Sequence, residues 1–90
     1  MARVAVLLKV FPEDISVNFE DLVNRIKESL PPGYTLELWD TEPIAFGLSA
    51  LRVLVTMPEN VEGGTEQLEE IISSIPGVSQ VEVVLVQRLF

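Results

Sequence analysis

The chain has 90 residues, of which six are basic and 14 acidic, so its net charge is −8 at neutral pH. This length predicts one domain, residues 1–90, built around one small hydrophobic core. No apolar run approaches the roughly 18 residues of a membrane-spanning helix, and an acidic surface repels nucleic-acid phosphates. We therefore expect neither a membrane nor a nucleic acid as a direct partner.

The residues that most often carry metal or covalent chemistry are missing. The sequence contains no cysteine and no histidine, which excludes disulfides and argues against zinc and copper sites. It also contains no phosphate-binding loop of the P-loop type. We predict no catalytic residues, no metal and no cofactor, and the lack of cysteine fits a reducing cytoplasm.

The first third of the chain predicts a strand and a helix. Apolar residues alternate along residues 3–11, and Pro12 ends this pattern, as expected for a strand. Asn18 then precedes apolar residues at helical spacing, so we predict that it is the helix N-cap. The run Pro31-Pro32-Gly33 stops the helix.

A second alternating segment, residues 34–40, predicts the next strand. Strict alternation places Leu36 and Leu38 on the core side of the sheet and Trp39 on the opposite side. A tryptophan there either packs against its neighbours or anchors a protein interface.

The rest of the chain predicts a strand, a helix and a strand. Residues 51–57 alternate apolar side chains, Gly64-Thr65 opens a second helix, and Pro76-Gly77 ends it. The last strand alternates Val81, Val83 and Leu85 on the core side with Glu82, Val84, Val86 and Arg88 on the other.

The element order β-α-β-β-α-β predicts an α+β, ferredoxin-like fold, in which two helices cover one face of a four-stranded antiparallel sheet. In this topology the second and third strands form a hairpin at one end of the sheet, and the C-terminus leaves from the opposite end. The uncovered face includes Leu7 and Leu54. It is either an ordinary mixed surface or a surface for protein contact or dimerisation.

Both ends of the predicted sheet carry unexpected apolar residues. Phe46-Gly47 lies at the hairpin tip, followed by Leu48, where small polar residues are usual. Gly47 suits a positive φ, and Phe46 either folds back on the sheet or faces a partner. The chain ends on Leu89-Phe90, which indicates docking or a partner, because chain ends are usually frayed.

Three segments together resemble the elongation factor 1-beta family: Glu42 to Leu51 (EPIAFGLSAL), Glu62 to Glu66 (EGGTE), and Gln87-Arg88-Leu89. The likeness covers nearly the whole chain and is closest to the short archaeal members, which consist of the exchange domain alone. It implies guanine nucleotide exchange during protein synthesis, without covalent chemistry. The implied partner is elongation factor 1-alpha, the GTPase that carries aminoacyl-tRNA to the ribosome.

The resemblance also implies two partner-binding segments. Phe46, with Gly47 and Leu48, matches the hairpin aromatic that contacts the second domain of the GTPase in eukaryotic members. Arg88 stands where those members have a lysine that reaches the magnesium and phosphate region, beside Leu89. This chain departs from them by the planar guanidinium of Arg88 and by the additional Phe90.

Two other functions suit the same fold, because one fold hosts many functions. A ligand-sensing regulatory domain would dimerise through the uncovered face and respond to a small molecule. A small phosphatase similar to acylphosphatase would need an arginine in the loop after the first strand, whereas residues 11–16 read FPEDIS. The sequence leaves the oligomeric state open.

Overall fold

A computed structural model of the chain describes residues 3–59 and 64–89. The elements in chain order are β1 (Arg3–Pro12), α1 (Phe19–Ser29), β2 (Thr35–Ala45), β3 (Leu48–Pro58), α2 (Glu66–Ser73) and β4 (Val78–Leu89). One sheet contains all four strands in the order β2-β3-β1-β4, and every neighbouring pair is antiparallel. The predicted ferredoxin-like fold is confirmed.

The start of α1 follows from its capping residue. The side chain of Asn18 accepts a hydrogen bond of 3.0 Å from the backbone N–H of Asp21, which satisfies one of the donors left free at a helix N-terminus. Acidic residues in the first turn also stabilise the helix, because they lie at the positive end of its dipole. The predicted N-cap is confirmed.

The core lies between the two helices and one face of the sheet. Helix α1 packs beside β2, and α2 packs beside β4. Burying each large aliphatic side chain contributes about 1.5–3 kcal/mol. The side chains with no exposed surface include Val6, Leu8, Val10, Leu22, Ile26, Leu51, Val53, Val55, Leu68 and Ile72.

A bulge in β2 overturns the alternation predicted for that strand. Leu36 pairs with Val55, but the next paired residue is Leu38, opposite Leu54, so Glu37 is an extra residue. After this insertion Leu38 lies on the uncovered face and is 59% exposed. Its predicted core position was wrong.

Trp39 also changes sides because of the bulge in β2. It pairs with the buried Val53 and lies beside Val23 and Lys27 of α1. The prediction that Trp39 faces away from the helices was therefore wrong.

A second bulge shifts the register of β4. Leu8 pairs with Val83 and Leu7 with Leu85, so Val84 is the extra residue on this strand. Opposite residues of paired strands project from the same face, which places Leu85 on the uncovered face with Leu7. Val86 pairs with Val6 and Arg88 with Val4, so both lie on the helix side. The faces predicted for Leu85, Val86 and Arg88 were therefore wrong.

The register fixes which segments meet at each end of the sheet. Val10 near the end of β1 pairs with Leu51, so the β2–β3 hairpin and the β1–α1 turn share one end. Arg3 at the start of β1 pairs with Leu89, so the chain's last described residue lies at the other end. The molecule measures 42 Å along its longest axis and 20 and 19 Å across.

Candidate partner-binding site

The hairpin tip is a two-residue loop, Phe46-Gly47, between the paired residues Ala45 and Leu48. Phe46 has φ 52° and Gly47 has φ 80°. Positive φ at both central residues defines the type I′ turn, whose twist matches that of the flanking strands. The positive φ predicted for Gly47 is confirmed, and apart from its two chain neighbours no residue has an atom within 4 Å of where a Cβ on Gly47 would be.

Phe46 is unfavourable for this turn in two ways. Type I′ turns prefer asparagine, aspartate or glycine at this position, and the left-handed conformation costs other L-residues about 1–2 kcal/mol. The side chain is also 99% exposed, so it gains no packing that would offset the strain. Phe46 therefore does not fold back on the sheet, and it contributes nothing visible to the stability of the hairpin.

Other apolar residues surround the tip. Ile44 precedes it on β2 and is half exposed, and Ile15 in the β1–α1 turn is 71% exposed. Ile15, Gly47 and Leu48 border one shallow pocket. The end of the sheet therefore presents an apolar surface to which two separate loops contribute.

The β1–α1 turn is held in place by Asp14. Its Oδ1 accepts hydrogen bonds from the backbone N–H of Ser16, at 2.8 Å, and from the Ser16 hydroxyl. These bonds favour the ionised carboxylate and hold the pKa of Asp14 below its ordinary value. They fix the loop that carries Ile15, which the sequence reasoning did not single out.

At the opposite end, Arg88 is largely exposed and forms an ion pair. Its Nε lies 2.9 Å from Oε1 of Glu59, directly after β3. Leu89 is partly exposed beside it, and the predicted site residue Phe90 lies outside the described residues. Glu59 was not predicted, because the pair joins positions 29 residues apart in sequence.

The predicted site residues thus form two groups and not one pocket. Phe46, Gly47 and Leu48 lie together at the hairpin end, whereas Arg88 and Leu89 lie at the other end of a domain 42 Å long. Within residues 3–59 and 64–89, no three acidic side chains are grouped as a metal site. No helix in the same ranges is long and apolar enough to cross a membrane.

Comparison with known proteins decides the family. The sequence profile of the EF-1 guanine nucleotide exchange domain matches residues 5–89. The chain belongs to this family. The resemblance to elongation factor 1-beta is confirmed, and family membership supports a role as a guanine nucleotide exchange domain in translation elongation.

Archaeal proteins of this exchange-domain family are similar to the chain over nearly its whole length. Elongation factor 1-beta of Desulfurococcus amylolyticus is 56% identical, with 99% of each chain covered. The protein of the same name from Sulfurisphaera tokodaii is 57% identical over 99% of this chain and 98% of the relative.

The chain also shares its fold with a solved structure of low sequence identity. The C-terminal domain of the MgtC protein from Mycobacterium tuberculosis superposes with a TM-score of 0.58 at 17% identity. The match covers 91% of this chain and 85% of that one. This likeness supports the architecture alone.

Proposed function

We propose that this exchange domain promotes release of GDP from elongation factor 1-alpha by binding the GTPase at both ends of its sheet. The observation that carries the proposal is Phe46, an aromatic side chain that is 99% exposed and held in a left-handed conformation. Strain of this kind persists where function requires it. The proposal includes no covalent step.

Exchange requires differential binding and not merely binding. A factor shifts the nucleotide equilibrium only if it binds the nucleotide-free GTPase more tightly than the GDP-bound form. By linkage, GDP then weakens the binding of the factor by the same ratio. Contacts at the hairpin end are suited to anchoring the domain on the GTPase. Contacts near the nucleotide are suited to weakening the binding of GDP to the GTPase.

The hairpin end is built as an anchor. A phenylalanine ring that moves from water into an apolar pocket contributes about 1.5–3 kcal/mol. The two-residue turn already holds the ring of Phe46 away from the sheet, so less ordering is needed on binding. Ile15 and Ile44 extend the apolar contact around it.

The C-terminal end supplies a cation. GTPases hold their nucleotide by its phosphates and Mg²⁺, and a guanidinium brought to this region would compete with the metal for the phosphate charge. Arg88 is now paired with Glu59. Exposed pairs contribute only about 0–1 kcal/mol, so Arg88 can leave Glu59 at little cost when the partner binds.

The test is release of a fluorescent GDP analogue from an archaeal elongation factor 1-alpha, with this protein in catalytic amounts and at two Mg²⁺ concentrations. We expect accelerated release, lost in Phe46→Ala and reduced in Arg88→Gln. Val84→Ala is the control, because Val84 is half exposed and lies near the middle of β4, away from both ends. Unchanged release with a cognate, active GTPase contradicts the proposal.

A further inference from the structure

The pocket between the β1–α1 turn and the β2–β3 hairpin, which we call the turn pocket, is formed by two separate parts of the chain. Its lining residues are Pro12, Asp14, Ile15, Val17 and Phe19 from the turn region, and Gly47, Leu48 and Ser49 from the hairpin. Its volume is about 280 Å³. Pockets for small molecules usually measure about 300–1,000 Å³, so the turn pocket suits a single side chain of a protein partner better than a free ligand.

The apolar lining of the turn pocket is fixed by the hydrophobic core. Val17 and Phe19 are partly buried and pack against the core cluster, and Pro12 at the end of β1 is buried. Ile15 differs from them, because 71% of its surface is exposed. The pocket thus has firm apolar walls, and at Ile15 it has apolar surface that a partner can still cover.

The β1–α1 turn is tied to the loop before β4. The backbone N–H of Glu13 donates a hydrogen bond of 2.9 Å to the carbonyl oxygen of Gly77. In return, Oε1 of Glu13 accepts a hydrogen bond of 2.8 Å from the N–H of Gly77. Together with the bonds between Asp14 and Ser16, these contacts order the turn before any partner binds, which lowers the entropy cost of binding.

The turn pocket carries one negative charge that the chain leaves uncompensated. Both hydrogen bonds from Ser16 go to Oδ1 of Asp14, and none from a described residue reaches Oδ2. Within residues 3–59 and 64–89, no lysine or arginine forms an ion pair with Asp14. Lys9, the basic residue of β1 closest to this end, is already paired with Glu42 at 3.1 Å. The lowered pKa of Asp14 keeps its carboxylate ionised at neutral pH.

We propose that the turn pocket receives a lysine or arginine side chain of elongation factor 1-alpha when the exchange domain binds. The inference rests on the proposed function and adds a second contact beside Phe46. Long basic side chains pack their aliphatic stems along apolar surface and keep the charged group outside it. In the turn pocket the stem contacts Ile15 and Leu48, and the charged group meets the free oxygen of Asp14.

Other occupants fit the turn pocket less well. A purely apolar side chain would cover the carboxylate of Asp14 without supplying a partner for it, and burying an unpaired charge is unfavourable. An acidic side chain or a phosphate would be repelled by Asp14 and by the neighbouring Glu13. A basic side chain satisfies both the apolar walls and the charge.

Asp14→Asn and Glu70→Gln form a matched pair of variants, because each removes one negative charge. Asparagine forms the same side-chain turn as aspartate, so it can still accept the hydrogen bonds from Ser16 and keep the turn in place. Glu70 is exposed in α2 and lies outside the turn pocket. The comparison therefore separates the local charge of Asp14 from the net charge of the domain.

The measurement is the affinity for nucleotide-free archaeal elongation factor 1-alpha, by titration calorimetry at roughly 0.05 and 0.3 M salt. We expect Asp14→Asn to bind about five-fold more weakly than the wild type at low salt, the upper range for a solvent-accessible ion pair. The ratio should shrink at the higher salt concentration, because salt screens the pair. Glu70→Gln should bind as the wild type does at both concentrations.

Ile15→Ala and Val84→Ala test the apolar part of the contact. Both side chains are at least half exposed, but only Ile15 borders the turn pocket. We expect Ile15→Ala to weaken binding about ten-fold at both salt concentrations, because the burial of apolar surface is not screened by salt. Val84→Ala should bind as the wild type does, and circular dichroism checks that all four variants fold.

The outcomes separate this inference from the proposed function. If the wild type binds and Phe46→Ala binds weakly, but Asp14→Asn equals Glu70→Gln at both salt concentrations, the basic occupant is refuted and the exchange proposal stands. Weaker binding of Ile15→Ala alone would indicate an apolar occupant and also overturns the inference. Tighter binding of Asp14→Asn would indicate an acidic one, with the same consequence. A wild type that does not bind the GTPase refutes both proposals.

Discussion

Replacing Phe46 by asparagine should stabilise the fold and abolish exchange. Phe46 has φ 52° and is 99% exposed, so the substitution removes backbone strain and no core packing. The strain is about 1–2 kcal/mol for an ordinary L-residue, and asparagine relieves most of it. We expect a gain of about 1 kcal/mol in the free energy of unfolding, or about 4–8 °C in Tm for a domain of this size.

The gain can be measured by guanidinium denaturation followed by fluorescence of Trp39, the only tryptophan. With the slope typical of small proteins, about 1 kcal/mol moves the midpoint upwards by about 0.3 M. The same samples are then tested for release of labelled GDP from elongation factor 1-alpha. A more stable protein without exchange activity is the expected result, because the ring that is lost is the proposed anchor.

Phe46→Ala is the matched control. It removes the ring but leaves an L-residue with a Cβ at a positive φ, so its midpoint should stay close to that of the wild type. Exchange should be lost in both variants. A lower midpoint for Phe46→Asn would refute the reasoning, since it would mean that the phenylalanine ring stabilises the hairpin.

Three further substitutions test the account of the fold. Asn18→Ala should lower the free energy of unfolding by about 1 kcal/mol, because the helix loses its cap. Thr65→Ala is the control and should change the free energy of unfolding little, because the Thr65 side chain makes no cap hydrogen bond. The denaturation midpoints of the two variants measure the difference. Tyr34→Phe should raise the midpoint, since the Tyr34 hydroxyl is buried without a partner among the described residues and an unsatisfied hydroxyl costs about 1–3 kcal/mol. The hydrogen bond from Arg52 holds the pKa of Asp40 below its ordinary value of 3.8. The pair therefore stabilises the fold above that pH, and this stabilisation is lost as the pH falls further. In Asp40→Asn the denaturation midpoint should depend less on pH in this acidic range.

The sequence predicted the fold because its local signals agree. Period-two alternation in β1 and β3, the Asn18 cap and the Pro-Gly breaks all indicate the same element order. The core residues of β1 and β3 were also predicted, since these central strands contain no extra residue and alternation holds along their length.

The edge strands could not be predicted in the same way. A bulge inserts one residue, and every later side chain then changes faces. Glu37 and Val84 are of residue types that do not by themselves indicate a bulge. Leu38, Trp39, Leu85, Val86 and Arg88 were therefore predicted on the wrong side of the sheet, and only the pairing register assigns them correctly.

The candidate site was predicted in part. The sequence identified Phe46 as unusual, but its strain follows from φ and its exposure from the three-dimensional structure. Ile15 and Glu59 were missed because each becomes relevant through a neighbour distant in sequence: Ile15 lies beside Gly47, and Glu59 beside Arg88.

The most direct test of the central claim compares the affinity of this protein for elongation factor 1-alpha without nucleotide and with saturating GDP and Mg²⁺, by titration calorimetry. Exchange by differential binding predicts much tighter binding to the nucleotide-free GTPase, and weaker binding of Phe46→Ala to both forms. Equal affinity for the two forms would contradict the account, because a protein that does not distinguish them cannot drive release of GDP.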